Sequence, residues 1–323
     1  MTAIAKIYHN SESCVLLEGE HSRFFGVNTG VLQGDTLAPF LFIIVMDFIL
    51  KQIPPAFSIN THHDTQLADL DFADDVALID NNRENATAHV TQFAAMSRLA
   101  GLRINFSKTK VLYVNLEKQS IEVGEETIEA VDDFKYLGSY IVTTERDLSC
   151  RRAIAWNSFW RLSKVWKSDS ITLSLKRKLF NSLILSILLY GCETWTLTRR
   201  LENLINSFAT SCFRILLNIR RIDRITNQEV LRRMNHHPLA QIVKKRQLRT
   251  LGHWIRATHL PISRYALYLP EGGRNRRGRP RLNFRRYITA MTGKTIENLL
   301  EIAVDREDWR RRVVDAHDPH AID

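Results

Sequence analysis

Apolar and polar residues alternate over short stretches in the first part of this chain and recur at helical spacing in the rest. In "CVLLEGEHSRFFGVNTG", residues 14–30, short alternating runs around Gly19 and Gly26 predict a hairpin. "DTLAPFLFIIVMDFILKQI", residues 35–53, predicts a helix: Asp35 or Thr36 can cap it, Pro39 suits its first turn, and Phe40 to Leu50 is almost wholly apolar. A second hairpin is expected over residues 66–80. The stretch "ENATAHVTQFAAMSRLAGL" predicts another helix, with Val90, Phe93, Ala94 and Leu99 near one face and Gly101 as its stop. "RINFSKTKVLYV" reads as loop and strand, and "VDDFKYLGSYIV" as a strand pair around Gly138. Strands of this kind with intervening helices imply an α+β fold with antiparallel pairing.

From about Thr144 the pattern turns helical. "CRRAIAWNSFWRLSKVW" brings Ile154, Phe159, Leu162 and Val165 near one face, and "SLKRKLFNSLILSILLY", "LENLINSFATSCFRILLNI" and "PLAQIVKKRQLRTLGHWI" continue the theme. "PEGGRNRRGRPRLNFRRY" then reads as a Gly/Pro/Arg-rich connector. A last helix, "IENLLEIAVDREDWRRRVV", is expected to pack Leu299, Leu300, Ile302, Trp309 and Val313. No internal repeat of fixed period interrupts this order.

With 323 residues, 45% of them hydrophobic, the chain can bury a sizeable core in more than one domain. Its net charge of +10 is unevenly spread: residues 1–150 hold 11 basic and 21 acidic side chains, residues 151–323 hold 34 and 14. An acidic half joined to a basic half implies a charged site beside a polyanion-binding surface, with a merely solvated basic surface as the alternative. Cys14, Cys150, Cys192 and Cys212 are far apart, which fits an intracellular protein with reduced, mostly buried thiols. The adjacent pairs His62-His63 and His236-His237 make poor chelators, because neighbouring residues point in different directions. The beginning of the chain has no charged-then-apolar signal pattern. The apolar run from Leu179 to Tyr190 is too short to span a bilayer and is expected to be a buried helix, so no membrane partner is expected.

The most unusual stretch is "DLDFADDVALID", where Asp69, Asp71, Asp74, Asp75 and Asp80 lie among apolar residues. Two bare carboxylates about 4 Å apart repel by roughly 1 kcal/mol in water and several times that near a protein surface. A divalent cation removes the repulsion, and hard oxygen ligands without nearby Cys or His favour Mg²⁺ or Mn²⁺ over zinc. An exposed turn with incidental aspartates is the alternative. A calcium loop beginning at Asp69 fails, because Asp74 stands where that loop needs glycine and Asp80 where it needs glutamate.

"FADD" at Phe72–Asp75 resembles the catalytic aspartate box of reverse transcriptases, in the form found in non-LTR (LINE-type) retrotransposons. "GVLQGDTLAPFLF" resembles that family's template- and nucleotide-contacting motif, "GLRINFSKTKVL" the loop after the catalytic hairpin, and "FKYLGSYI" the primer grip. All four occur in the family's order. The resemblance implies a partial polymerase palm over residues 1–144, a helical thumb with downstream helices over 145–265, and a basic connector with a C-terminal helix over 266–323. It implies an RNA-directed DNA polymerase acting by two-metal nucleotidyl transfer, with an RNA template, a DNA primer or target DNA, and dNTPs as partners. Asp74 would be the principal ligand of Mg²⁺ or Mn²⁺ and Asp75 a secondary carboxylate. Gln33 and Gly34 would lie beside the incoming base pair, Lys108 (or the equally basic Lys110) would neutralise the leaving pyrophosphate, and Tyr136, Leu137 and Gly138 would hold the primer end. Ordinary loop, solvated lysine and core strand are the respective alternatives.

The family pattern also requires an aspartate on a strand before the "GVLQGD" motif, whereas Asp35, inside that motif, is the first aspartate here. Nothing resembles the fingers or the endonuclease. The expectation is therefore a C-terminal portion, inactive alone, with a non-enzymatic nucleic-acid-binding protein or a decayed retroelement remnant as alternatives. In the basic half, Trp156, Trp160, Trp166 and Trp254 are expected mainly in the core rather than as stacking platforms. "RRGRPR", with Arg276, Arg277, Arg279 and Arg281, resembles an AT-hook; phosphate contact is the expectation ahead of minor-groove insertion. "GCETWTLT" and "LGHWIR" resemble the C-terminal part of retroelement proteins, with no catalytic role attached.

Overall fold

Hairpins close where the chain supplies left-handed turn residues, and helices begin where a side chain can cap them. The computed structural model describes residues 2–32, 34–54, 58–60, 66–114, 116–257, 266–267 and 282–315. The chain forms two units, one of Met1–Ile59, Gln66–Thr109 and Ser120–Glu129, the other of Asn60–Thr65, Lys110–Gln119 and Ala130–Asp323. Helices and small two-stranded sheets are mixed, an α+β content.

In the first unit, helix α1 (Thr2–Tyr8) precedes a nested hairpin. Its outer strands β1 (Glu12–Ser13) and β4 (Phe25–Gly26) and its inner strands β2 (Leu16–Leu17) and β3 (Glu20–His21) are antiparallel. Glu18 and Gly19 turn with φ of 49° and 92°, the two-residue geometry that matches strand twist. Gly26 lies within β4 rather than at a turn. Helix α2 (Ala38–Lys51) carries Pro39 in its first turn, but neither Asp35 nor Thr36 is its cap. Asp35 instead accepts from the Leu37 N–H at 3.1 Å and from the Tyr8 hydroxyl, contacts that hold its carboxyl below the ordinary carboxylate range. Short strands β5 (Ile59–Asn60) and β6 (Gln66–Leu67) follow.

The hairpin of β7 (Asp69–Phe72) and β8 (Asp75–Leu78) leads into α3 (Arg83–Leu99), which Asn82 caps by accepting from the Asn85 N–H at 2.8 Å. Helix α3 packs on α2, on β8 and on β10 (Ile121–Val123), which pairs with β11 (Glu126–Ile128). Ile121, Val123, Ile128, Met46, Ile49 and Ala94 make a modest core. Leu99, expected on the packed face, is 80% exposed. Measured from His89, the buried Ser97 and Ala94 lie about 80° and 140° around the helix and Leu99 about 280°, on the side away from that stripe. Gly101 ends the helix region with φ 79°.

The second unit opens with the parallel pair β9 (Val111–Leu112) and β12 (Ala130–Val131), an exception to the antiparallel expectation. The hairpin of β13 (Lys135–Tyr136) and β14 (Ser139–Tyr140) turns at Leu137 and Gly138, whose φ values are 46° and 83°. Helix α4 (Thr144–Arg161) starts at Thr143, whose hydroxyl accepts from the Arg146 N–H at 3.2 Å. It buries Leu148, Ala155 and Phe159, while Ile154 is 40% exposed instead of sharing that face. After α5 (Ser163–Lys167), the long apolar run forms α6 (Leu173–Leu179), a π-helical turn over Phe180–Ile184, and α7 (Leu185–Leu188). Phe180, Ile184, Leu185 and Leu188 are buried there, as expected of an internal helix. No described helix is long and apolar enough to cross a membrane.

Helices α8 (Arg199–Leu216), α9 (Asn227–Met234) and α10 (Leu239–Arg256) complete the main core. The last expected helix is divided into α12 (Ile296–Ala303) and α13 (Arg306–Trp309), preceded by α11 (Phe284–Thr292) and followed by a π-helical turn over Arg310–Val314. Asp305 makes the break by accepting the Asp308 N–H at 2.6 Å, and Leu300 is left 40% exposed. Of the cysteines, Cys192 and Cys212 are buried while Cys14 and Cys150 are half-buried. Burial pushes the Cys192 thiol up to about 12. His62 and His63 lie outside the described residues.

Gly252 on α10 shows how closely the last helices dock. The Trp309 indole donates to the Leu248 carbonyl at 2.9 Å, and a Cβ at Gly252 would lie 2.4 Å from its nitrogen. Gly to Ala in an exposed helix normally stabilises by about 0.8–1 kcal/mol. Gly252→Ala is expected to do the opposite, costing roughly 1–3 kcal/mol through overpacking. Urea unfolding checks this; an unchanged or raised midpoint would contradict the packing.

Candidate functional site

The crowded aspartates of residues 69–80 separate by strand register. Pairing runs Asp69 to Leu78, Leu70 to Ala77, Asp71 to Val76 and Phe72 to Asp75, leaving Ala73 and Asp74 as the turn. Asp69 and Asp71 therefore share one face with Val76 and Leu78, whereas Asp75 shares the other with Leu70, Phe72 and Ala77. Asp74 and Asp75 are exposed at the tip. Burial and the neighbouring Asp71 carboxylate push Asp69 above its ordinary value, with His89 opposing.

Asp80, beyond β8, does different work. Its Oδ2 lies 3.0 Å from His89 Nδ1 on α3, with side-chain exposures of 3% and 1%. A buried hydrogen bond to a carboxylate contributes about 1.5–3 kcal/mol, so this contact ties the base of the hairpin to the helix behind it. Asp80 Oδ1 and Arg83 Nε are buried with no protein partner among the described residues.

Gly34 is exposed with φ 92°, and a Cβ there would meet nothing within 4 Å. Its requirement is backbone conformation, not crowding. Lys108 is exposed in the turn after α3, where its N–H donates to the Asn105 carbonyl at 3.0 Å. Gln33, Arg276, Arg277, Arg279 and Arg281 lie outside the described residues. Carboxylates at a hairpin tip have the right donor chemistry for Mg²⁺ or Mn²⁺. Among the described residues, however, no group of three or more His, Cys, Asp or Glu could hold a metal ion.

Tyr136, Leu137 and Gly138 belong to the second unit, in a hairpin held by residues that sequence reasoning did not single out. Asp147, on the first turn of α4, accepts the Tyr140 N–H on Oδ1 and the Trp195 indole N–H on Oδ2, each at 2.9 Å. Gln247 on α10 donates to the carbonyls of Cys192 and Trp195 at 2.9 and 2.7 Å, and its Oε1 accepts from the Tyr287 hydroxyl at 3.0 Å. "GCETW" is therefore a junction between the hairpin and the helical core. Its signal in the sequence was an oddly polar, glycine-led break after a long apolar run. Trp166 is buried and Trp156 and Trp254 half-buried, but Trp160 is 50% exposed, stacked on Trp156 at 6.2 Å.

Residues 2–141 match the family described as reverse transcriptase (RNA-dependent DNA polymerase). Over 201 residues the chain is 32% identical to an uncharacterized transposon-derived protein of Caenorhabditis elegans, covering 58% of this chain and 71% of that one. It is 30% identical over 141 residues to a retrovirus-related Pol polyprotein from a type-2 retrotransposable element of Drosophila melanogaster, covering 40% of this chain and 13% of the polyprotein. A retrovirus-related Pol polyprotein from the R2 element of Popillia japonica is 25% identical over 216 residues, covering 62% of this chain and 30% of the polyprotein. The chain thus spans less than a third of either polyprotein.

Ala73 has φ 55°, a left-handed conformation that costs a residue with a Cβ about 1–2 kcal/mol. Ala73→Gly is expected to leave stability unchanged or raised. Ala73→Val is expected to lower it by more than about 1 kcal/mol, since β-branched residues tolerate this region worst. Thermal unfolding checks the pair; equal effects of the two substitutions would contradict the turn geometry.

Proposed function

We propose, from the premise that this chain belongs to the reverse transcriptase family of non-LTR retrotransposons, that it is a portion of an RNA-directed DNA polymerase whose present residues hold and orient nucleic acid. Residues 1–144 serve as a partial palm, 145–265 as thumb and downstream helices, and 266–323 as a basic connector and closing helix. The observation that carries this is the tight β7–β8 hairpin with Asp74 and Asp75 exposed at its tip, inside the segment matching the family.

Asp74 and Asp75 contribute the carboxylate part of a Mg²⁺ or Mn²⁺ site that other ligands must complete. The buried Asp80–His89 pair keeps those carboxylates fixed relative to α3. Gln33 and Gly34 lie beside the incoming base pair, Lys108 faces the leaving pyrophosphate, and the Leu137–Gly138 turn holds the primer end. Template RNA, a DNA primer or target DNA, and dNTPs are the partners, in an intracellular setting. The basic helices, with Arg276, Arg277, Arg279 and Arg281, follow the phosphate backbone.

A second reading is a nucleic-acid-binding protein without catalysis. It is favoured by the large core of the second unit and the excess of 34 basic over 14 acidic residues across 151–323. In either case the isolated chain is expected to bind an RNA–DNA primer–template with an affinity that falls by roughly two to three orders of magnitude between about 50 and 200 mM salt. It is expected not to extend the primer with Mg²⁺ or Mn²⁺. Extension abolished by Asp74→Ala would overturn the incompleteness, and absence of binding at low salt would overturn both readings.

A further inference from the structure

The turn of the β13–β14 hairpin is unusual in where its carbonyls point. Tyr190 donates its hydroxyl to the Leu137 carbonyl at 2.9 Å, and Arg151 donates through Nη2 to the Gly138 carbonyl, with Ser139 Oγ 3.4 Å away. The two capping groups act together: the Arg151 guanidinium lies over the Tyr190 ring, 4.3 Å from its centroid, and Asp147 holds the same guanidinium at 3.8 Å. Glycine at residue 191 eases the approach, since a larger residue would be strained there and would have to displace the Ser139 hydroxyl. Gly191 has φ 72°, and a Cβ there would lie 2.5 Å from Ser139 Oγ.

An exposed turn normally presents carbonyl oxygens, the negative ends of its peptide dipoles. Tying both to a phenol and a guanidinium occupies those acceptor oxygens, with the guanidinium's charge balanced by Asp147. The side left to a ligand is then the N–H side, which suits a phosphodiester. A cleft of about 790 Å³ lies beside the hairpin, its lining mostly apolar (Leu137, Ile141, Leu189 and Trp195 among others) with Glu193 and Arg246 as its charged members.

We propose that Arg151 and Tyr190 are positioning residues, which preset the Leu137–Gly138 turn to receive the phosphodiester at the recessed end of a primer strand. The proposal rests on the reading above that this turn contacts the primer end. It adds which side chains make the turn competent.

The test uses the full chain and two probes, an RNA template carrying a recessed DNA primer and a blunt RNA–DNA hybrid of equal length. The wild-type chain should prefer the recessed probe. Tyr190→Phe keeps the ring under the guanidinium but loses the hydroxyl bond; Arg151→Lys keeps the charge but loses the planar contact. Each should weaken recessed-probe binding about three- to tenfold, the worth of one or two hydrogen bonds. Blunt-hybrid affinity and thermal midpoint should stay near wild type. Unchanged preference in both variants, or equal weakening on both probes, would overturn the positioning role. A wild-type chain with no preference would overturn the primer-end reading and this inference with it.

Discussion

The carboxylate of Asp147 joins three elements of the second unit at one buried point. It is 2% exposed, and its oxygens take one N–H from the hairpin strand β14 and one from the Trp195 indole. Such a group is costly to bury and is tolerated only when both oxygens are satisfied. Once satisfied, it fixes three elements at one point: the strand, the start of α4 and the segment after α7. Gln247 and Tyr287 extend the same polar chain across α10 to α11, so the hairpin is tied through hydrogen bonds to the core around Phe159, Phe180 and Phe213.

The first unit solves its own electrostatic problem differently. Five carboxylates in a dozen residues would repel if they faced one way. The register turns Asp69 and Asp71 to one face and Asp75 to the other, puts Asp74 in the turn, and sends Asp80 inward to His89. Only Asp74 and Asp75 stand exposed together at the tip, while Asp71, also exposed, lies along β7 on the other face from Asp75. Strain at Ala73 is the local cost of so tight a tip.

Much of this was legible in the sequence wherever the determinant was local. Turn residues at Gly19 and Gly138 and the stop at Gly101 follow from rules spanning a few residues. Faces were less legible. Leu99, Ile154 and Leu300 are apolar at nearly helical spacing, yet neighbours distant in sequence decide which stripe is covered. The same limit hid the framework of Asp147, Arg151, Tyr190, Gln247 and Tyr287, whose partners lie up to 55 residues apart. For the candidate site, the order of four short motifs pointed to a family, while the placement of Asp74 and Asp75 at one tip followed from hairpin patterning.

If the hairpin is held by the Asp147 framework and not by its own two short strands, amide exchange at Tyr140 reports it directly. In the wild-type chain that amide should be protected together with the Trp195 indole. In Asp147→Ala both should exchange at least about tenfold faster, equivalent to some 1.4 kcal/mol of lost local stability, while amides within α8 stay protected. Unchanged protection at Tyr140 and Trp195 in that variant would contradict the account.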